Sequence, residues 1–232
     1  MEQIESESVM DKETKQYIKN TAIRTVAVTL AVFVVLAAMY VLVFPKKASD
    51  ITYEMGMKRT ACDLMETQYR RTHDINDLST LFDRVVELSD EKLLYVYGKE
   101  FIEHKYFDDY CAFKKKTPLT LFDSDISSYV KGYYSVGLLS EKGIDEALEF
   151  LEKETDEYDM LSPFSIFVYH ISNCSKKMSI ADAEKIVHAL ERYYIKALSG
   201  ETDTSVVIAD AYAVCEKYGL EEKAVWQTRY GA

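Results

Sequence analysis

Twenty residues, Thr25 to Phe44, carry no charged side chain, and this run constrains the chain more than any other feature. Its only polar groups are the hydroxyls of Thr25 and Thr29 and the phenol of Tyr40. At about 1.5 Å per residue a helix of that length spans roughly 30 Å, the thickness of a bilayer's hydrocarbon core. A core helix of a soluble domain keeps a polar face, and this run has none. A removable export signal has a shorter apolar region, about 7–15 residues, ending in a small-x-small site. Here the run closes on Val41-Leu42-Val43-Phe44 and then Pro45. The sequence therefore predicts a polar N-terminal tail over 1–21, a retained transmembrane helix over 22–45, and an acidic α-helical domain over 46–232.

Flanking charge does not decide sidedness by itself. Lys12, Lys15, Lys19 and Arg24 precede the span, and Lys46, Lys47, Lys58 and Arg59 follow it. Short charged tails ahead of an uncleaved span tend to stay in the cytoplasm, and long domains cross largely regardless of charge. The expectation is a single-pass protein of the cell membrane, N-terminus cytoplasmic, with the C-terminal domain extracytoplasmic.

Residues 1–44 hold four basic and five acidic side chains, leaving −10 of the formal net charge of −11 on the rest. Such a domain is repelled by nucleic acid, so nucleic acid is not an expected partner. The cysteines, Cys62, Cys111, Cys174 and Cys215, form no CxxC and lie inside apolar helical patterns. Buried free thiols fit that placement. Two disulfides remain the alternative outside the cytoplasm, and free thiols would weigh toward a reducing compartment.

Beyond Pro45 only Pro118 and Pro163 interrupt the chain, and apolar residues recur at i, i+3, i+4 and i+7, as in "INDLSTLFDRVVEL" and "ADAEKIVHALERYYIKAL". Breaks are expected near 72–75, 104–106, 116–123, 140–143, 159–163, 175–179, 199–203 and 219. Expected helix caps are Asp123 or Ser124, Asp145, Ser162 ahead of Pro163, and Asp203. An apolar leader followed closely by an acid recurs at Ile75, Phe107, Ile144, Ile180 and Leu220, at intervals of 32, 37, 36 and 40 residues. Each interval holds two helices, and a pair that size must stack on neighbours to bury its apolar face.

On these residues the chain resembles the tetratricopeptide repeat. "GLLSEKGIDEALEFLEK" (137–153) and "ADAYAVCEKYGLEEKAVWQ" (209–227) look like the joint between the repeat's two helices, with its second-helix alanine at Ala147, Ala183 and Ala224. Where the family prefers a small residue stand Ser135, Ile171 and Tyr212, and where it prefers an aromatic stand Leu138, Cys174 and Cys215. The closing proline is absent. The resemblance covers 75–230 and implies an antiparallel helix-pair solenoid, with Cys174 and Cys215 at equivalent inward positions. A similar architecture occurs in bacterial periplasmic accessory proteins with one N-terminal anchor, some associated with protein translocation.

No motif carries chemistry. His170 and Cys174 have the i, i+4 spacing of a two-ligand clip but no second pair to complete a zinc site. His188 and Glu191 lack the second histidine of a zinc-protease helix and read as a solvated face. Asp123 and Asp125 form a DxD that helix capping explains. The acidic run Glu152–Asp159 reads as a solvated helix end and loop, and Asn173-Cys174-Ser175 as a chance glycosylation match. With 18 tyrosines against one tryptophan, pairs such as Tyr133-Tyr134 and Tyr193-Tyr194 put adjacent rings on different helix faces, so not all can be buried; the rings either fill semi-buried seams between helices or serve as exposed partner anchors. The sequence thus predicts no catalytic, cofactor or metal site and no enzyme. It predicts a membrane-anchored, tetratricopeptide-like repeat domain holding a protein or peptide partner, as accessory subunit or scaffold. The alternatives are an anchored metal-dependent hydrolase and a ligand sensor acting through a partner.

Overall fold

The computed structural model describes residues 12–116, 118, 125–174, 178–199 and 204–221. Among them there are eleven α-helices and no strand, as the apolar period requires. They divide into two compact units, one ending at Gln68 and one beginning at Tyr69.

The first unit opens with α1, Lys12–Val43, which starts inside the stretch expected as a polar tail. Its portion Gln16–Val43 is long and apolar enough to cross a membrane, and the protein covers none of its most apolar window. Phe44 leaves the helical region (φ −126°, ψ 59°), and Pro45, which has no N–H to give, becomes the first residue of α2, Pro45–Glu54. The Tyr40 and Phe44 rings meet at 5.5 Å and the Lys47 ammonium lies 5.6 Å from the Phe44 ring. Aromatic and basic groups at the end of an apolar rod suit the membrane–water boundary. Helix α3, Lys58–Thr72, follows a turn at Met55-Gly56-Met57, where Gly56 takes φ 79°. No break was expected there, because a three-residue turn between apolar methionines carries little sequence signal.

The second unit continues with α4 (Ile75–Leu88), α5 (Glu91–Ile102), α6 (Phe107–Lys116), α7 (Ile126–Glu141), α8 (Ile144–Glu154), α9 (Pro163–Asn173), α10 (Ile180–Ser199) and α11 (Ser205–Tyr218). The leaders Ile75, Phe107, Ile144 and Ile180 are the first residues of α4, α6, α8 and α10. The first three are buried, whereas Ile180 is exposed. Leu220 is buried too, but the rest of its motif, with Ala224, lies outside the described residues. The turn at Ser89-Asp90 was not placed in advance: Ser89 takes φ 51°, a conformation its residue type does not announce.

Caps explain several helix starts. Ser162 accepts from Ser165 N–H ahead of Pro163, as expected. Asp145 does not cap α8. Gly143 holds that position and Asp145 sits in the first turn, where its charge meets the helix dipole. Asp125 caps α7, accepting from Ser128 N–H at 3.1 Å, while Asp123, Ser124 and Asp203 lie outside the described residues.

Alternate helices pack in a row, α5 on α7, α7 on α9 and α9 on α11, while α8 packs on α7, α9 and α10. Glycines let the row close. A Cβ at Gly137 would lie 2.2 Å from Tyr95 N, at Gly98 2.8 Å from Tyr134 Cβ, and at Gly132 2.7 Å from Ile166 Cβ. Partner numbers run in opposite senses along α5 and α7 (Gly98 with Tyr134, Glu91 with Gly137) and in the same sense along α7 and α9 (Gly132 with Ile166, Tyr133 with His170). So α5 and α7 are antiparallel, whereas α7 and α9 are parallel.

Helices α8 and α10 are parallel with a constant offset of 40 residues: Lys185 with Asp145, Arg192 with Glu152, and Lys196 with the carbonyl of Asp156. Tyr193 and Tyr194, expected to split between core and solvent, are both buried. Helix α10 packs on α8 and on α11, so two of its faces are covered. Tyr133 and Tyr134 are each half-buried.

Candidate functional site

Among the described residues, two concavities and one polar contact at buried Tyr158 bring ionisable side chains together. The first is a cavity of about 210 Å³ between α7, α9 and α11, lined by Val136, Leu139, His170, Cys174, Met178 and Tyr218 among others. The structure thus places the sequence's candidate pair, His170 and Cys174, on one cavity wall. Burial lowers the His170 pKa, outweighing the opposing charge of Glu91, so the imidazole is held neutral. Its ring meets Tyr133 edge-on at 5.4 Å. Among the described residues no three His, Cys, Asp or Glu side chains are grouped to hold a metal ion.

Cys174 caps the C-terminus of α9 and, unlike the buried Cys215, is half-buried. The equivalence of the two inferred from the repeat therefore does not extend to their surroundings. None of the four cysteines is joined in a disulfide in this structure. Burial, with Asp108 and Asp125 nearby, pushes the Cys111 thiol up to about 12, which keeps it protonated and unreactive.

Helix α11 closes the far end of α9. Lys217 Nζ donates to the carbonyls of Ser172, at 3.0 Å, and Cys174, and the Tyr218 hydroxyl donates to the Ile171 carbonyl at 3.3 Å. A cation there satisfies orphan carbonyls at the negative end of the helix dipole.

The second concavity is an open hollow of about 660 Å³ at the α3–α4 and α5–α6 turns, with His73, Asp74, Glu100, Glu103, His104 and Lys105 on its walls. His73 takes φ 49°. His104 Nδ1 accepts from Tyr106 N–H at 3.3 Å, so Nε2 carries the proton given to the His73 carbonyl, also at 3.3 Å. Glu100 already receives the Tyr69 hydroxyl and the Arg70 guanidinium, each at 2.9 Å, and burial with this carboxylate pushes the Tyr69 phenol up to about 12. The hollow ties turns together, and its carboxylate is engaged in that task.

The buried contact was not foreseen. Tyr158 donates to Asp210 Oδ2 at 2.6 Å, with Ser165 as a further partner. Burial raises the Asp210 pKa and raises that of the wholly enclosed Tyr158 well above its ordinary value. The run Glu152–Asp159 is accordingly not a plain solvated loop. Thr155 and Tyr158 are buried, Glu154 pairs with Lys131 at 2.8 Å, and α8 stops at Glu154, ahead of the expected break. The one usable sequence signal was an acid amid "VVIADAYAV", an apolar stretch of α11.

The remaining candidates carry no site. His188 is exposed, 3.8 Å from Glu191. Asn173 uses its amide to donate to the Tyr169 carbonyl at 2.7 Å, and Ser175 lies outside the described residues. Of the tyrosines on the α7–α9 face, Tyr169 is 63% exposed and Tyr133 half-buried, and burial, with Tyr169 nearby, raises the Tyr133 pKa. Compared with known proteins, the chain matches no family model, no curated protein and no solved structure.

Proposed function

We propose that the chain is a single-pass membrane protein whose helical unit holds a protein or peptide partner, as an accessory subunit or scaffold of a membrane complex. The observation that carries this reading is the contrast between α1, apolar and uncovered throughout its span, and a second unit in which the Tyr158–Asp210 and Tyr69–Glu100 contacts tie separate segments of the fold together. The parallel run α7–α9–α11 with its companions α8 and α10 supports a tetratricopeptide-like stack over that region. On this reading α4–α6, whose α5 runs antiparallel to α7, form an N-terminal cap on the stack. The partner's docking face is the α7–α9 side, where Tyr133, Tyr169 and His170 offer large rings with little entropy to lose.

We place the helical unit on the extracytoplasmic side, since a long domain after a retained span crosses largely regardless of its charge. Four cysteines outside any disulfide weigh the other way. Labelling intact cells with an impermeant thiol reagent, through cysteines introduced at exposed Tyr169 and His188, decides it. Reaction before lysis supports this placement and reaction only after lysis overturns it.

The functional test is cross-linking followed by affinity purification from native membranes. A reproducible, stoichiometric protein partner is expected. Recovery of the chain alone, with a tightly bound metal and hydrolytic activity, would overturn the reading in favour of an enzyme.

A further inference from the structure

Directly after α1, three large apolar side chains are left exposed. Ile51 is 48%, Met55 67% and Met57 43% exposed, within seven residues of one another. Ile51 lies on α2 and Met55, its C-cap, follows one turn on, while the helix buries Pro45, Ala48 and Ser49 on an adjacent face. The Ser49 hydroxyl donates to the Ala61 carbonyl, drawing the start of α3 back along α2, so the Met55–Met57 turn is the tip of a short hairpin.

We propose that this hairpin rests on the bilayer, with Ile51, Met55 and Met57 entering the boundary between headgroups and acyl chains. The inference rests on α1 being the membrane anchor. Chain continuity favours lipid as the occupant. Helix α1 ends at Val43 and α2 begins at Pro45, and ten residues of helix reach about 15 Å, so the hairpin cannot leave the neighbourhood of the surface.

Charge distribution favours the same occupant. Residues 45–68 balance Lys46, Lys47, Lys58 and Arg59 against Asp50, Glu54, Asp63 and Glu66, while the chain from Tyr69 onward carries −10. The neutral hairpin can approach anionic headgroups, which repel the remainder. An apolar edge beside a charged one is the pattern of a helix lying in the interface.

The test reconstitutes the full chain in phosphatidylcholine–phosphatidylglycerol vesicles whose lipids carry bromine near the top of the acyl chain. Native Trp226 sets the background, and Met39→Trp, Ile51→Trp, Met55→Trp and Glu54→Trp are compared with it, each checked for wild-type helicity. Quenching and a blue-shifted emission are expected for Met39→Trp, for Met55→Trp and for Ile51→Trp, with Glu54→Trp no more quenched than background. If Met39→Trp is quenched while Ile51→Trp and Met55→Trp behave like Glu54→Trp, the hairpin proposal is overturned and the anchor stands. If Met39→Trp is itself unquenched, the anchor falls and the hairpin proposal with it. A protein partner covering the hairpin in cells would leave no quenching in these vesicles.

Discussion

The α5–α7–α9 row and the α8–α10 layer solve the same problem by different means. In the row, Gly98, Gly132 and Gly137 bring backbones into contact and aromatic rings fill the space, as where Tyr95 stacks on Tyr134 with centroids 5.7 Å apart. Between α8 and α10, exposed charges are matched at a fixed 40-residue offset, Lys185 with Asp145 and Arg192 with Glu152. Burial and close packing stabilise strongly, while exposed ion pairs contribute little and mainly set register. The row therefore carries stability, and the outer layer specifies how one helix pair is placed on the next.

Substitutions in the full chain, held in detergent, test that division. Gly137→Ala is expected to have the largest effect. Its new methyl meets backbone atoms of Tyr95, which cannot move aside, so overpacking of about 3 kcal/mol outweighs a helix-propensity gain of about 1 kcal/mol. Chemical denaturation should show a clear fall in midpoint, and an unchanged midpoint would break the comparison.

Tyr158→Phe comes next. It leaves the half-buried Asp210 carboxyl without its shortest donor, at a cost of about 2 kcal/mol by the same assay. Asp210→Asn separates charge from hydrogen bonding. The Asp210 pKa is raised in the fold, so its contribution is fully present below the ordinary carboxylate pKa, about 4, and is lost as pH rises through the folded value. Asparagine still accepts from Tyr158 without burying a charge. The variant should thus be more stable than wild type at neutral pH, with the advantage shrinking on acidification. An advantage that grows toward acid would refute this account.

The smallest effect belongs to the outer layer. A double-mutant cycle of Arg192→Ala with Glu152→Ala should give a coupling of about 0.5 kcal/mol, reduced by salt. A coupling several times larger would mean the outer layer shares the work of the row.

What the sequence showed follows from which interactions leave a local trace. The apolar rod, the helical period, the Ser162-Pro163 start and the leaders Ile75, Phe107 and Ile144 are local in origin and are found where expected. The turn at Gly56 was missed because it is a short reversal with no proline or polar cluster to mark it. Ser89-Asp90, by contrast, did carry a signal, the helix cap Asp90, inside a run whose apolar period continues across it. Both members of Tyr193-Tyr194 are buried because α10 has neighbours on two sides, a property of the packing and not of the helix. The Tyr158–Asp210 contact joins residues 52 apart, and nothing in either neighbourhood names the other. The His170–Cys174 pair was legible as spacing, yet its meaning depends on a cavity built by α7 and α11.

The central claim is that the α7–α9 face holds a partner while α1 holds the membrane. Site-resolved photo-cross-linking in native membranes tests it most directly, with benzoylphenylalanine placed at exposed Tyr169 on α9 and at exposed His188 on α10. One discrete protein adduct from Tyr169, and none from His188, is the predicted result. No adduct from Tyr169, or the same adducts from both positions, would contradict the claim.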